Sequence, residues 1–384
     1  MVLHDEIRGR LAEVFSLKSY KIDHVVHGAI ATAVVYGTLL GASVEEIESA
    51  VGMTVAHYIP FRAIRAGHQL SDSKGASAAI SSEVAALSVH RAMRGFIGPQ
   101  DIFRNPQSIF RLFKPTQGDN ESPFDLVLSH SGEDFSVMGM HFKLGLYEHQ
   151  SAGAIQALLD ALQQAPEIAK NVGDLKEISI RIYEPAFGII GDPHKRTPTT
   201  RQSADHSMVY IIASILRKAY ALGVDHLKSI QRDNNKMWKD LMLLPFDYSD
   251  EALYDPTTRA IMDKIVFEHG GKEYDVIQKK KKKNNTFLEK YPEGIPTRLS
   301  IKTIKESYSS DLVMFPGGHA RNTTADLKGI LEWKWKQMAK IAFGDVPDKQ
   351  IQIHLNKLNN LAQKTSTDIA SIYDLPYKTR NWTQ

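Results

Sequence analysis

The 384-residue sequence contains no cysteine. This absence excludes disulfide bonds, a thiol nucleophile and any iron–sulfur cluster that is held by cysteine ligands. The sequence also lacks an apolar run that approaches the roughly 18 residues of a membrane span, so no membrane association is predicted. Acidic residues stand among the cations of residues 1–15 and no continuous apolar core follows. A secretory signal is therefore not predicted.

The net positive charge of the sequence comes from one short segment. The formal net charge is +3, and the five lysines at 279–283 contribute more than all of it. Without them the formal charge would be −2, so the body of the protein is close to neutral. A nucleic-acid-binding face is therefore not expected. We interpret the lysine run and the two asparagines that follow it as a solvated insertion.

Signatures of metal sites are also missing, because the sequence has neither an HExxH motif nor a paired-carboxylate spacing. No metal and no cofactor are predicted. The composition, with 42% hydrophobic and 24% charged residues, is typical of an ordinary globular protein. The length fits two compact units.

Hydrophobic periodicity predicts an almost purely helical segment over residues 1–115. Ser43 and Glu46 form the pattern of a capping box, and Gly95 is expected to end an alanine-rich helix over residues 75–93. Small residues in the preceding helix, between positions 28 and 37, favour close helix packing.

The pattern after residue 115 predicts an α+β segment. A helix is expected over 150–165, another is expected to be opened by Asp205, and a third over 323–343 has Thr323 as its candidate cap. Alternating isoleucines at 178, 180 and 182 are typical of a half-buried strand. The predicted strands are 177–183, 264–267, 298–304 and 311–315.

Polar clusters mark five places in the chain: Asp23-His24, residues 71–77 with Lys74, residues 141–149 with His141, Lys143 and His149, residues 191–210 with His206 and Tyr210, and residues 317–322 with His319 and Arg321. Lys74 is expected at a helix start, where the helix dipole disfavours a cation and the free N–H groups favour an anion. Each cluster has a structural alternative, such as a capping histidine, an exposed lysine or a glycine turn. Together they predict a pocket for a small polyanion, with acid–base chemistry by His, Lys and Tyr.

Four segments carry a family resemblance: KIDHVVHGAIATAVV, SDSKGASAA, SADHSMVY and GHARNTTADL. They resemble the signature segments of the MmgE/PrpD family, in the family's order and over nearly the whole chain. That family includes 2-methylcitrate dehydratase and cis-aconitate decarboxylase, and the similarity is greater on the dehydratase side. The resemblance implies a large all-helical domain (1–137), a smaller α+β lid domain (138–342) and C-terminal helices (343–384) that return to the helical domain.

The resemblance also implies site residues. His24, Lys74, Lys143, His149 and Tyr210 match the family's catalytic positions. His206, His319 and Arg321 are assigned to substrate binding, the last two as an extension beyond the family motifs. The family pattern normally has a further stretch before the point that corresponds to Met1. We therefore expect a helical domain that is truncated at its N-terminus, with one wall of the pocket missing.

The activity implied by the resemblance is a hydro-lyase that removes water from 2-methylcitrate or a related tricarboxylate. It needs no iron–sulfur cluster. Two alternatives stay open: decarboxylation of cis-aconitate, and a catalytically inactive relative that acts as a binding or dimerisation partner. A homodimer is expected, located in the cytoplasm, or in the mitochondrial matrix if the source is eukaryotic.

Overall fold

The computed structural model describes residues 1–65, 68–190, 193–276, 294–344 and 346–374. The fold is mostly helical, with one mixed four-stranded sheet in the described part. The helices that precede the sheet are α1 (Val2–Val14), α2 (Val25–Leu40), α3 (Val44–His57), α4 (Asp72–Ala92), α5 (Ile109–Phe113) and α6 (Ala152–Gln164). The strands are β1 (Leu175–Ile182), β2 (Ile265–His269), β3 (Thr297–Thr303) and β4 (Ser307–Ser309).

The helices that follow β1 include the long helices α10 and α15. Their bounds are α7 (Glu184–Ile190), α8 (Pro193–Arg196), α9 (Arg201–Ala204), α10 (Met208–Ile230), α11 (Asn234–Leu241), α12 (Asp250–Leu253), α13 (Pro256–Met262), α14 (Gly271–Val276), α15 (Leu327–Phe343), α16 (Asp348–Lys357) and α17 (Ser366–Ala370). None of the helices within the described ranges combines the length and apolar character that a membrane span requires. The predicted lysine insertion at 279–283 lies outside the described residues.

The N-terminal helices form one hydrophobic core, in which α2 packs against α1, α3 and α4. The alanines at 29, 31 and 33 are fully buried, and a Cβ at Gly37 would come within 2.9 Å of the Ile47 side chain. The prediction that the small residues of α2 permit close packing is therefore confirmed. The predicted capping box at the start of α3 is also present: the Ser43 hydroxyl accepts from the Glu46 amide, and the Glu46 carboxylate accepts from the Ser43 amide.

A second, larger core surrounds the sheet. The strand order is β2-β1-β3-β4, with β1 parallel to β2, antiparallel to β3, and β3 antiparallel to β4. Ile178, Ile180 and Ile182 of β1 are fully buried, as the alternating pattern predicted. Helix α6 packs on β3 and α10 packs on α6, so apolar faces of helices cover the sheet.

One predicted strand was wrong. Residues 311–315 contribute only an isolated bridge between Val313 and Thr297, and the fourth strand is instead Ser307–Ser309. The hydroxyl of Thr303 accepts from the backbone amides of 305 and 306, which turns the chain tightly after β3. The Ser310 hydroxyl then accepts from the Leu299 amide, in place of the carbonyl that a continuing strand would supply.

Two predicted helix starts were also wrong. Helix α10 begins at Met208, because the Ser207 side chain caps it by accepting from the Tyr210 amide, and Asp205 ends the short helix α9. Helix α15 begins at Leu327 with Asp326 as its cap. Asn322 accepts from the amides of 324 and 325, and this Asx turn keeps the chain near position 323 out of the helix.

Helix α16 packs on α15 through a small cluster of Ala339, Phe343 and Ile351. The wider assignment, in which the C-terminal helices return to the helical domain, stays a prediction, as do the boundaries of the three segments.

Candidate active site

A cavity of about 550 Å³ opens between the helical part and the part that contains the sheet. The helical part supplies the lining residues Arg8, Ala12, Ser16, Leu17, Lys18, His24, His27, Arg62, Arg65, Leu70 and Lys74. The other part supplies His141, Lys143, Glu148, His149, Gln150, Lys195 and His206. We call this space the cationic cavity, because seven lysines and arginines and five histidines line it, together with the carboxylate of Glu148. Its charge favours a small polyanion.

Backbone contacts position the two sides of this cavity. An antiparallel bridge between Ile22 and Phe61 places the segment 62–65 beside the start of α2. Gln69 donates to the carbonyls of His194 and Thr197 and accepts from the Thr199 amide, so the segment before α4 is joined to the segment that carries Lys195.

Asp23 and His24 form an oriented pair at the start of α2. Asp23 is fully buried and receives a two-pronged contact from the Arg65 guanidinium, with Nη2 3.0 Å from Oδ1. Burial by itself would raise the pKa of Asp23, but the Arg65 cation holds it below its usual value. The His24 Nδ1 lies 3.3 Å from the same carboxylate. Asp23 therefore favours the tautomer with a proton on Nδ1, which leaves Nε2 as the basic nitrogen of His24.

The surroundings of the His24 ring favour its neutral form. Desolvation at the cavity wall lowers its pKa, although 63% of the side chain is exposed, the nearby Arg65 and Arg62 lower it further, and Asp23 offsets part of this effect. A neutral, oriented imidazole on a cationic wall is suited to act as a general base.

Lys74 lies in the first turn of α4, as predicted, and faces the same cavity. Burial lowers the pKa of its ammonium group to about 8, with Lys143 and Arg65 acting in the same direction and Asp205 acting against them. The Lys74 Nζ lies 3.3 Å from Nδ1 of His206, and that nitrogen also contacts the Asp205 carboxylate. Burial raises the pKa of Asp205 to about 6. An incompletely compensated cation at a helix start is suited to an anionic ligand.

A group of histidines lies on the opposite wall. The His141 ring stands edge-on to His149 and His319, at centroid distances of 4.6 and 5.6 Å. Burial lowers the pKa of His141 to about 3 and that of His149 to about 4, with Lys143 contributing to both shifts. These shifts favour the neutral form of both rings. Within the described ranges, His, Asp and Glu side chains nowhere gather in a group of three or more that could hold a metal ion.

Gly318, which the sequence marked only as a turn candidate, shapes this wall. Gly318 has a φ of +92°, and a Cβ there would lie 2.0 Å from the Phe142 carbonyl oxygen. The close approach permits the bridge between residues 141 and 319, with the Phe142 amide donating to the Gly318 carbonyl over 2.8 Å. Gly318 is thus required for the contact of His141 with His319.

The structure brings His24, Lys74, Lys143, His149 and His206 together in the cationic cavity. It places three other expected site residues elsewhere. His319 stands behind His141, and Arg321 lies over the ring of Phe315. Neither of these two lines the cavity.

Tyr210 lies apart from the cavity. Its side chain is fully buried in the core around the sheet, and its hydroxyl donates to the Asp247 carbonyl over 2.6 Å. This placement argues against Tyr210 as the proton-transfer counterpart of His24, because the hydroxyl is engaged and does not face the same space. We therefore give Tyr210 no role in the chemistry proposed below.

Five cations of the cavity were missed by sequence reasoning: Arg8, Lys18, Arg62, Arg65 and Lys195. Arg8 is in α1 and pairs with Asp5 at 2.9 Å, an ordinary pair on a helix surface. Arg65 and Lys195 lie in irregular or short elements that only tertiary contacts bring to the cavity. No local pattern identifies them.

The fold and the cavity define a protein with a helical part, an α+β part and a cationic, histidine-rich cleft. Comparison with known families agrees: the MmgE/PrpD N-terminal domain matches residues 1–121, and the MmgE/PrpD C-terminal domain matches residues 148–360. The chain belongs to the MmgE/PrpD family.

Three similar proteins carry the names of dehydratases. The 2-methylcitrate dehydratase of Escherichia coli (strain K12) is 24% identical over 276 residues, which is 70% of this chain and 54% of that protein. The alkylcitrate dehydratase phiI of a fungal species (strain ATCC 74256) is 23% identical over 359 residues, 92% of this chain and 62% of that protein. A probable 2-methylcitrate dehydratase of Saccharomyces cerevisiae is 25% identical over 285 residues, 72% of this chain and 54% of that protein.

The chain thus spans between 54% and 62% of the length of these curated relatives. The family's N-terminal domain nevertheless matches from residue 1 onward. This match does not support the expectation that the helical domain is truncated at its N-terminus.

Proposed function

We propose that the protein is a hydro-lyase that removes water from a citrate-like tricarboxylate, with 2-methylcitrate as the first candidate. The observation that carries this proposal is the cationic cavity, in which seven lysines and arginines surround the oriented Asp23–His24 pair. The curated relatives named as dehydratases of 2-methylcitrate and alkylcitrate support the same substrate class.

Binding of a tricarboxylate follows from the charge of the cavity. The three carboxylates of the substrate bring three negative charges, and cations on both walls offset them. These cations are Lys74 and Arg65 on one wall and Lys143 and Lys195 on the other. The carboxylate next to the reacting carbon gains enediolate character as its α-proton leaves. Cations held in place before the reaction stabilise that charge more strongly than water does.

His24 is the base in this proposal. Its Nε2 takes the α-proton, and the resulting imidazolium is stabilised by Asp23, whose position is set by Arg65. The logic is that of other Asp–His pairs, in which the carboxylate orients the ring and stabilises its charged form.

The departing hydroxyl group needs a proton. We assign this step to His149, which lines the same cavity. A bound trianion favours the protonated imidazole and so raises the pKa of His149 from about 4. The α C–H bond and the C–O bond break, a C=C bond forms, and the hydroxyl leaves with the His149 proton as water. Lys74 and Lys143 then act as charges that hold carboxylates.

We also propose, from the family resemblance, that the protein acts as a homodimer. The near-neutral charge outside residues 279–283 and the lack of a long apolar run support the proposal that it has neither nucleic-acid nor membrane partners. Analytical ultracentrifugation tests the assembly: a sedimentation coefficient of a two-chain species supports it, and a monomer at micromolar concentration contradicts it.

The activity is tested by incubating the purified protein separately with citrate, 2-methylcitrate and cis-aconitate, while alkene formation and CO₂ release are recorded. We expect alkene from 2-methylcitrate or citrate and no CO₂. Release of CO₂ from cis-aconitate without any dehydration would instead identify a decarboxylase. A folded protein that converts none of the three would contradict the proposed enzyme and favour a binding or dimerisation role.

A further inference from the structure

Two histidines that line the cationic cavity, His27 and His141, have no role in the chemistry proposed above. His27 lies one turn after His24 on α2, on the wall that the helical part forms, and only 3% of it is exposed. His141 lies on the opposite wall, where its ring stands edge-on to His149. The proposed elimination therefore leaves two buried imidazoles unexplained.

Both imidazoles are buried without a hydrogen-bond partner among the residues that the structure describes. This holds for Nδ1 and for Nε2 of each ring. The Phe15 carbonyl lies near the His27 ring but outside hydrogen-bonding geometry. A buried polar atom without a partner costs free energy, and native proteins contain few of them. Because both rings line the cavity, a ligand bound there is a partner that both can reach.

Arg8, a third residue of the lining, lies next to the chain at both histidines. Its Nη2 is 3.4 Å from Sδ of Met140, the residue before His141. Nearer its backbone, its Cδ would lie 3.9 Å from a Cβ placed on Gly28, the residue after His27. The Arg8 side chain thus extends from the chain beside one histidine to the chain beside the other.

The charge of this group favours an anion. Burial lowers the pKa of His27 and of His141 to about 3, and the Arg8 cation contributes to the shift of His27. A neutral imidazole still carries one N–H donor. Among the described residues, the polar contacts of the Arg8 guanidinium, to Asp5 at 2.9 Å and to Met140, are both made by Nη2. Its other nitrogens can therefore donate to a ligand.

We propose that Arg8, His27 and His141 form a carboxylate subsite within the cationic cavity. Arg8 pairs with a carboxylate of the substrate, and the two imidazoles donate their N–H groups to the oxygens of that same carboxylate. In the proposed mechanism Lys74 and Lys143 hold the other carboxylates, so the subsite takes the one that is remote from the elimination. The proposed function supplies the substrate on which this inference rests. The subsite selects a tricarboxylate over the dicarboxylate that lacks this group.

The test is calorimetric titration at pH 7 with two ligands that cannot lose water. Tricarballylate has the three carboxylates of citrate without the hydroxyl group, and methylsuccinate has a methyl group in place of one carboxymethyl group of tricarballylate. We expect the unchanged protein to bind tricarballylate more tightly. His27→Leu and His141→Leu should each raise the Kd of tricarballylate about tenfold to a hundredfold, because a hydrogen bond to a charged group is lost. The Kd of methylsuccinate should change by less than about threefold.

Matched variants separate a binding role from a structural one. His27→Gln keeps an N–H donor and should lose less affinity for tricarballylate than His27→Leu does. Arg8→Met should weaken tricarballylate binding selectively, as the leucine variants do. His57→Leu replaces an exposed histidine at the end of α3, outside the cavity, and should bind both ligands as the unchanged protein does. Because the two buried rings lack partners, His27→Leu and His141→Leu should be no less stable than the unchanged protein in urea denaturation.

The outcomes separate the subsite from the hydro-lyase. Equal losses of affinity for the two ligands in His27→Leu and His141→Leu, or no loss for either ligand, overturn the subsite. Loss of the folded state in either leucine variant also overturns it, because that ring would then serve the stability of the fold. A protein that distinguishes the two ligands as expected but dehydrates no citrate keeps the subsite and overturns the hydro-lyase. Dehydration of 2-methylcitrate without any preference for tricarballylate overturns the subsite alone.

Discussion

Replacing Lys74 by Met removes one charge from the cationic cavity and keeps a side chain of similar length. In the ligand-free protein, burial and the cations Lys143 and Arg65 make the charged form of Lys74 unfavourable, since its pKa is lowered from 10.5 to about 8. A shift of this size corresponds to roughly 3 kcal/mol of stability lost to the charge. Asp205 loses a counter-charge in the variant, which offsets part of the gain. We therefore expect Lys74→Met to be more stable than the unchanged protein at pH 7, by about 1–3 kcal/mol.

The stability difference between Lys74→Met and the unchanged protein is expected to depend on pH. Below pH 8 Lys74 is protonated in the folded and the unfolded state, and the cost of its buried charge is fully present. Between about pH 8 and 10.5 the unfolded state binds more protons, so the stability of the unchanged protein rises relative to the variant. Urea denaturation measures the free energy of unfolding of Lys74→Met and of the unchanged protein. The advantage of the variant should shrink between about pH 8 and 10.5.

Activity should change in the opposite direction. Loss of a charge that stabilises the developing enediolate typically lowers turnover by about 10²–10³-fold. Dehydration is followed by the ultraviolet absorbance of the new double bond, with Lys74→Arg as the charge-conserving variant and exposed Lys114→Met as the matched control. A turnover within about threefold of the unchanged protein, or a clear loss of stability in Lys74→Met, would refute this account of Lys74.

Three further substitutions give distinct expected results. Asp23→Asn leaves Arg65 without its buried counter-charge, so the free energy of unfolding in chemical denaturation should fall by about 3–5 kcal/mol. It also leaves His24 without its orienting carboxylate, so turnover should fall at least a hundredfold. Tyr210→Phe removes only a buried hydrogen bond to a backbone carbonyl, so stability should fall by about 1 kcal/mol while turnover stays within about twofold. Ser43→Ala removes the capping box of α3 and should lower the free energy of thermal unfolding by about 1 kcal/mol without affecting turnover.

Each of these has a result that would count against it. Normal turnover in Asp23→Asn would remove the pair from the mechanism. A large loss of turnover in Tyr210→Phe, at unchanged stability, would return that hydroxyl to the active site. An unchanged melting temperature in Ser43→Ala would show that the capping box does not stabilise α3.

Local features of the fold were predictable because their causes lie within a few residues. The alternating isoleucines of β1 and the capping box of α3 depend on neighbours in sequence, and both are present. The end of the fourth strand was not predictable in this way, because the Ser310 side chain takes the place of a backbone partner.

The site was predictable in part. The family segments contain His24, Lys74, Lys143 and His149, which share one cavity. Tyr210 was expected in the site together with His206, but the extended backbone of the cap residue Ser207, with φ −109° and ψ 106°, breaks the helix between them.

Arg65 shows why the rest of the site could not be found from sequence. Its place beside Asp23 depends on the bridge between residues 22 and 61, a contact between segments that are distant in the chain. A second cavity of about 460 Å³ adjoins the cationic cavity and has the same origin, since residues from near 75, 145, 201 and 248 meet only in the folded protein.

The central claim is that His24 removes a proton from a tricarboxylate held in the cationic cavity. The most direct measurement compares the unchanged protein with His24→Gln on 2-methylcitrate, with the alkene product followed by proton NMR. We expect the unchanged protein to form the alkene and the variant to do so about 10²–10⁴-fold more slowly, since a general base is lost. Equal rates for the two proteins, or no alkene from either, would contradict the claim.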